Sequence, residues 1–228
     1  MISICYSGVF YYKQSAWGSD LTCGYRCEMM RLKQFILYCS YLIYLEKQMK
    51  PQPWKTLQSR RVYENPWMSL REDVAEMPDR RTTIYGVVTF GECVGVVPFV
   101  DADHVMLVRQ YRYVQGENHR WEIPTGGVNE GETLEQAAQR ELAEEAGYNA
   151  GRLVHLSSYY TSKCICDETA HLYIGENLTV TRALPDETEF LERRMFPFET
   201  ALRMTLEGKI MDSMSVLGLV LAARRLGR

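Results

Sequence analysis

From residue 54 onward, apolar and polar positions follow a regular order that predicts strands interleaved with a few helices. Runs rich in Val, Tyr, Thr and Ile, separated by turn residues, predict strands over 60–63, 68–73, 82–90, 92–100, 104–113, 120–123, 153–161, 171–175 and 190–196. Asp101-Ala102-Asp103 reads as a hairpin turn between two of them. Three helices are predicted. The first, over 133–146, opens with a capping box of Thr133 and Gln136 and closes on Gly147. The second, over 198–207, follows Pro197 and stops at Gly208. The third, over 213–226, follows the cap residue Asp212; Arg224, Arg225 and Arg228 suit its negative C-terminal end. Mixed strands with few helices place the chain in the α+β class, as a layered α/β/α domain.

The first 48 residues break this order. They hold Cys5, Cys23, Cys27 and Cys39, four of the seven cysteines, and a dense set of tyrosines. Residues 9–12 alternate like a strand. Residues 28–47 have helical spacing but are apolar on too many sides for a clean surface helix. An accessory segment that docks on the main domain and a membrane-surface helix are two readings. The third is sequence upstream of the native start. It is the one expected here, because Met49-Lys50-Pro51-Gln52-Pro53 resembles the polar beginning of a domain. The expected organisation is therefore an extension over 1–48, an N-terminal strand region over 49–80 and a main domain over 81–228.

Composition narrows the function. With 26 Lys and Arg against 29 Asp and Glu, the net charge of -3 gives no global case for nucleic-acid or membrane binding. The longest largely apolar run, residues 35–45, is too short to span a bilayer. The N-terminus lacks the order of a signal peptide, and an odd cysteine count suits reduced thiols; a cytoplasmic protein is expected.

One segment carries chemistry. In the predicted helix over 133–146, Glu141, Glu144 and Glu145 are spaced i, i+3 and i+4 and share one narrow face. Leu134, Ala138 and Leu142 form another face, with Ala137 beside it, which must be the buried stripe. Glu132, in the loop before the helix, can be brought to the same end, and Arg140 lies one turn before Glu144. A solvated acidic face is the plain alternative. Against it stand the repulsion of three carboxylates and a glycine loop, Gly126-Gly127, whose carbonyls can act as ligands. Converging carboxylates suit a hard cation such as Mg²⁺, which takes oxygen ligands and bridges to substrate phosphates.

Gly126, Glu132, Arg140-Glu141, Leu142, Glu144-Glu145, Gly147 and Tyr148, at their spacing, resemble the Nudix box; an aliphatic is commoner where Tyr148 stands. Val108-Arg109-Gln110-Tyr111-Arg112, Trp121-Glu122-Ile123-Pro124-Thr125-Gly126-Gly127 and Gly208-Lys209-Ile210-Met211-Asp212-Ser213 are similar to the ADP-ribose pyrophosphatase branch. The resemblance covers about residues 54–226. It implies a Nudix α/β/α sandwich with a mixed sheet. It implies Mg²⁺-dependent, or Mn²⁺-dependent, hydrolysis of a nucleoside diphosphate linked to another group. It also implies a homodimer in which the N-terminal strands, here residues 54–79, exchange between subunits. ADP-ribose, cleaved to AMP and ribose 5-phosphate, is the leading substrate. The loop Ser162-Lys163-Cys164-Ile165-Cys166-Asp167-Glu168 lacks a proline usual in that branch, which keeps GDP-mannose or another nucleotide sugar as the alternative. A non-catalytic ligand-binding module is the rival from another class; such modules lose box glutamates, and this chain keeps them.

By the same resemblance, Glu141, Glu144 and Glu145 are catalytic metal ligands, joined by the carbonyl of Thr125. Gly126, Glu132, Arg140 and Gly147 are structural residues of the box. The general base comes from the loop after it, with Glu187 and Glu189 as candidates. Arg112 is the candidate for binding a phosphate through its planar fork, while Arg109, facing the other side of the strand, is expected in a structural pair. Trp54 and Trp67 are candidates to sandwich the nucleobase. Cys164 and Cys166 with His171 have poor spacing for zinc.

Overall fold

The computed structural model describes residues 36–41, 52–118, 120–181 and 190–228. Two compact units are distinguished, Met1–Pro53 and Trp54–Arg228. In the first, residues 36–41 are helical, inside the span predicted for a helix, and Ile36, Leu37, Tyr38 and Tyr41 are exposed. The strand predicted over 9–12 lies outside the described residues. Among the described residues, no helix is long and apolar enough to cross a membrane.

The second unit begins with a three-stranded antiparallel sheet of β1 (Lys55–Glu64), β2 (Ser69–Glu76) and β3 (Thr82–Thr89), in the order β1-β2-β3. Register shifts between Thr56 and Gln58 and between Arg61 and Tyr63 kink β1, which is exposed along its whole length. Then follow β4 (Glu92–Pro98), β5 (His104–Arg109), a short β6 (Tyr111–Arg112) and β7 (Glu117–Asn118) hairpin, and β8 (Thr125–Gly127). Helix α1 (Leu134–Glu141) runs directly into a wider turn with i→i+5 hydrogen bonding over Leu142–Ala146. Strands β9 (Tyr148–Tyr160), β10 (Thr169–Val180) and β11 (Glu192–Pro197) precede α2 (Phe198–Leu206) and α3 (Ser213–Leu226).

The central sheet has the order β8-β4-β10-β9, with β10 parallel to β4 and antiparallel to β9. Its inner strands, β4 and most of β10, are buried on both faces, and their period of two sorts side chains between two layers. Val94 and Val96 of β4 and Tyr173 of β10 pack with Ala137, Ala138 and Leu142 of the box helix. Val97, Leu172 and Ile174 pack on the other side with Phe198, Leu219 and Ala222 of α2 and α3. This is the expected α/β/α sandwich with a mixed sheet. A side-chain clasp adds register to the first layer: Gln139 Nε2 donates to the Ala150 carbonyl (2.6 Å), and the Ala150 N–H donates to Gln139 Oε1 (3.0 Å).

Three elements depart from the sequence reading. Residues 120–123 form no strand. Glu122 makes only an isolated bridge to Val108, and the Ile123 N–H turns to Ser215 Oγ (2.9 Å). The strand predicted over 104–113 divides after Arg109, because β5 exhausts its pairing with β11 at Glu192 and the chain then pairs with itself as β6 and β7. The helix predicted over 133–146 keeps α-helical hydrogen bonding only as far as Glu141.

Candidate active site

The loop between β8 and α1 folds back on the helix it precedes. Thr133 caps α1 as its spacing requires: its hydroxyl accepts from Gln136 N–H (3.2 Å), and its own N–H donates to Gln136 Oε1 (2.8 Å). Arg140, on the last turn of α1, points to this loop. Its Nε donates to Glu132 Oε1 (2.8 Å), and its Nη2 donates to Glu132 Oε2 (3.0 Å) and the Gly127 carbonyl (2.8 Å). Its Nη1 reaches Glu141 Oε1 (2.6 Å) and Glu144 Oε2 (3.2 Å). All but the α-helical part of this network joins residues across the loop, so one guanidinium sets the loop's shape. The pair with Arg140, then the Asn129 N–H bonded to Oε2, hold the Glu132 carboxyl down to about 2. The three carboxylates in turn raise the Arg140 pKa against the opposing pull of burial.

Gly126 is required by close approach. A Cβ at this position would lie 2.0 Å from Glu141 Oε1, so only glycine leaves room for the carboxylate against the loop. Glu141 is buried, and Glu145 is 1% exposed, with its Oε2 accepting the Thr125 N–H (2.7 Å). Glu144 is half-buried. Two buried carboxylates beside a backbone strand are a hard-oxygen donor set of the kind a divalent cation takes. Arg140 bridges two of the three, and among the described residues no three His, Cys, Asp or Glu side chains form a closed metal cage. Arg140 thus pairs with Glu141 and Glu144, whereas the Glu145 carboxylate is bonded by the Thr125 N–H.

Arg112 is brought to the same place. Its Nε and Nη2 both meet Glu122 Oε1, at 3.0 and 2.8 Å. Burial opposes its charge, but Glu122, then Glu145 and Asp212, outweigh that and raise its pKa. Arg112, Thr125 and Asp212 lie at the seam of two hollows. One, of about 610 Å³, is lined also by Gln115, Arg120, Trp121 and Glu122. The other, of about 400 Å³, is lined also by Trp67, Gly126, Gly127 and Glu168. Arg109 points elsewhere: it pairs with Glu192 and lies 4.8 Å over the Trp121 ring.

The two tryptophans do not face one another within the chain. Trp54 stands at the start of β1 with its ring edge-on to Tyr85, 6.3 Å between centroids, whereas Trp67 follows the end of β1 and is 79% exposed at the second hollow. A ten-residue strand separates them by roughly 30 Å. The expected sandwich by both rings is thus corrected for a single chain. Glu187 and Glu189 lie outside the described residues. Cys166 Sγ contacts the Ser162 carbonyl, while His171 is held between Ser158 Oγ (2.8 Å) and Glu92 Oε1 (3.3 Å), so these groups do not share a centre.

Two members of the site escaped the sequence reading. Glu122, quoted only as part of a motif, is a buried carboxylate between Trp121 and Ile123, and nothing local in the sequence announces its partner. Asp212 was legible as a helix cap, and its Oδ2 does accept the Ser215 N–H (2.8 Å), but it also lines both hollows.

Comparison with known proteins matches residues 89–214 to the NUDIX domain and residues 54–88 to the nucleoside diphosphate sugar hydrolase N-terminal domain. An ADP-ribose pyrophosphatase of Bacillus subtilis (strain 168) is 31% identical over 168 residues, covering 72% of this chain and 90% of the relative. A methanol dehydrogenase activator of Bacillus methanolicus is 31% identical over 165 residues, covering 72% and 89%. A solved structure titled as an ADP compounds hydrolase superposes with a TM-score of 0.70 at 22% identity, covering 77% of this chain and 95% of the other; it shows the fold.

Proposed function

The chain belongs to the Nudix family, and on that premise we propose that it hydrolyses the diphosphate of ADP-ribose to AMP and ribose 5-phosphate with a divalent cation, Mg²⁺ or Mn²⁺. The observation that carries the reading is the pair of buried carboxylates, Glu141 and Glu145, set beside an arginine-lined hollow large enough for a nucleotide. The ADP-ribose pyrophosphatase of Bacillus subtilis, matched over 90% of its length, supports the choice of substrate.

Glu141, Glu144, Glu145 and the Thr125 carbonyl would hold the cation. When bound, it supplies neutralisation of phosphoryl charge and a more acidic water. The chain's own part is positioning and electrostatics. Arg112, anchored on Glu122, presents its remaining N–H groups to a phosphate oxygen. Glu132 and Arg140 fix the loop so that Gly126 clears the Glu141 carboxylate. A carboxylate of the loop after the box, Glu187 or Glu189, takes the proton of the attacking water. Trp67 offers a stacking face at the second hollow. Trp54 meets a base only through a second subunit, and the fully exposed β1 is the surface for the homodimer. The site of action is the cytoplasm.

A nucleotide sugar such as GDP-mannose is the second reading, favoured by the match of residues 54–88 to the nucleoside diphosphate sugar hydrolase N-terminal domain. The test is incubation with Mg²⁺ and a panel of ADP-ribose, GDP-mannose, ADP-glucose and NADH, with products identified by chromatography and Glu145→Gln as control. AMP from ADP-ribose, abolished in the variant, is the expected result. Preference for a GDP-sugar moves the specificity to the loop over 162–168. Tight binding of nucleotides without turnover of any would overturn the enzyme reading.

A further inference from the structure

Where α1 passes into its wider final turn, the backbone carbonyls need partners that the helix itself does not provide. The Gly147 N–H, in the left-handed conformation at φ 78°, serves the carbonyls of Ala143 and Leu142. The carbonyls of Glu144 and Glu145 are taken by one side chain from β11. Arg193 Nη2 donates to the Glu144 carbonyl (2.7 Å), and Arg193 Nε donates to the Glu145 carbonyl (2.5 Å). Thr181 N–H then takes the Gly147 carbonyl (2.9 Å). Every carbonyl from Leu142 to Glu145 therefore has a partner, two of them through a guanidinium fork from a strand 48 residues away.

The same two glutamates are held from the opposite side. Arg140 grips the Glu144 carboxylate and the Thr125 N–H grips that of Glu145. Each is thus fixed at its backbone and at its carboxylate by different groups. The register between Glu141 and Glu145 depends on the final turn staying in its i→i+5 form. An α-helical turn would rotate Glu145 relative to Glu141, and a frayed one would release it. The cation of Arg193 also sits where the partial negative charge of a helix C-terminus favours it.

We infer that Arg193 is a positioning residue, which sets the geometry of the box carboxylates by clamping the carbonyls of Glu144 and Glu145. The inference rests on the reading of these glutamates as the cation-binding set. It differs from simple helix capping in what it predicts for cation affinity.

The test measures Mn²⁺ binding to the full chain without substrate, by calorimetry or by loss of the free-ion EPR signal. Wild type, Arg193→Ala, Arg193→Lys and Arg194→Ala are compared, with thermal midpoints alongside. Groups that orient a metal's ligands typically matter 10–100-fold in affinity; Arg193→Ala is expected to weaken Mn²⁺ binding about 10-fold. Arg193→Lys, which keeps the charge but reaches one carbonyl at a time, is expected to fall between the two. Arg194→Ala, whose guanidinium lies over Phe196 instead, is expected to bind as wild type. Amide exchange at Gly147 and Thr181 should rise in Arg193→Ala. A folded Arg193→Ala with wild-type Mn²⁺ affinity overturns the inference and leaves the site reading standing. Should Arg193→Ala not fold, wild-type affinity in Arg193→Lys together with unchanged exchange overturns it equally. Wild type that binds no Mn²⁺ sinks the site reading, and the inference with it.

Discussion

In the N-terminal sheet, Arg60 reaches across from β1 to Glu72 at 2.9 Å, with 71% of its side chain exposed. In the box, Arg140 is 26% exposed and meets Glu132, Glu141 and Glu144 together. The residue types and distances are alike. Exposure and convergence are not. An exposed pair gains little Coulomb energy in water and must still order two long side chains. Arg140 is the common counterion of three carboxylates, and removing it leaves like charges facing one another in a partly desolvated loop. The lesson is that the ion pair matters by what is left behind when it is broken, and only one of these regions leaves anything costly behind.

The sharpest way to break the contrast is Arg140→Ala. We expect a loss of about 3 kcal/mol in a denaturant titration, and an effect under 1 kcal/mol would erase the distinction. Next comes Gly126→Ala, which places a methyl group on the Glu141 carboxylate. We expect turnover to fall more than about 100-fold, with circular dichroism still showing a folded protein; retained turnover would mean that the loop yields. A smaller effect concerns acid. The Glu132 pKa is lowered to about 2 from an ordinary 4.5, so its contribution to stability is complete above about pH 4.5 and lost as pH falls toward 2. Stability followed over that window should fall less steeply in Glu132→Gln than in wild type. The smallest change belongs to the sheet: Arg60→Ala should cost less than about 1 kcal/mol. A larger loss would show β1 covered by something more than solvent.

Sequence resolved the two regions unequally. The box was legible because its constraints are local. The reciprocal bonds of Thr133 and Gln136, the left-handed Gly147 and the burial of Ala137, Ala138 and Leu142 all follow from spacing within one helix. What the spacing did not disclose is set from a distance. The final turn departs from α-helical bonding where a side chain of β11 takes its carbonyls. Glu122 reads as the outward, polar position of an alternating run until Arg112, across the β6-β7 hairpin, supplies its partner. The run Arg120-Trp121-Glu122-Ile123 looked like a strand because charged and apolar residues alternate in it, yet its backbone bonds go to Val108 and Ser215 rather than to a ladder. Trp54 and Trp67, named together as stacking candidates for one base, are separated by the strand between them.

The parallel contact of β4 with β10 has a consequence in time. The two strands meet with Glu92 beside Thr169, so the whole box, β8 and β9 are synthesised between them. Antiparallel β9 and β10 can find each other as neighbours in the chain, but β4 must wait for a long loop to close. The box helix, which carries the glutamates, is backed by Val94 and Val96 of β4 and by Tyr173 of β10, so it gains its support only at that late step. A nascent or partly folded chain would therefore carry the complete motif without a working site. Ligand added during refolding would act on the last stage alone, as a trap for finished molecules rather than a guide for unfinished ones.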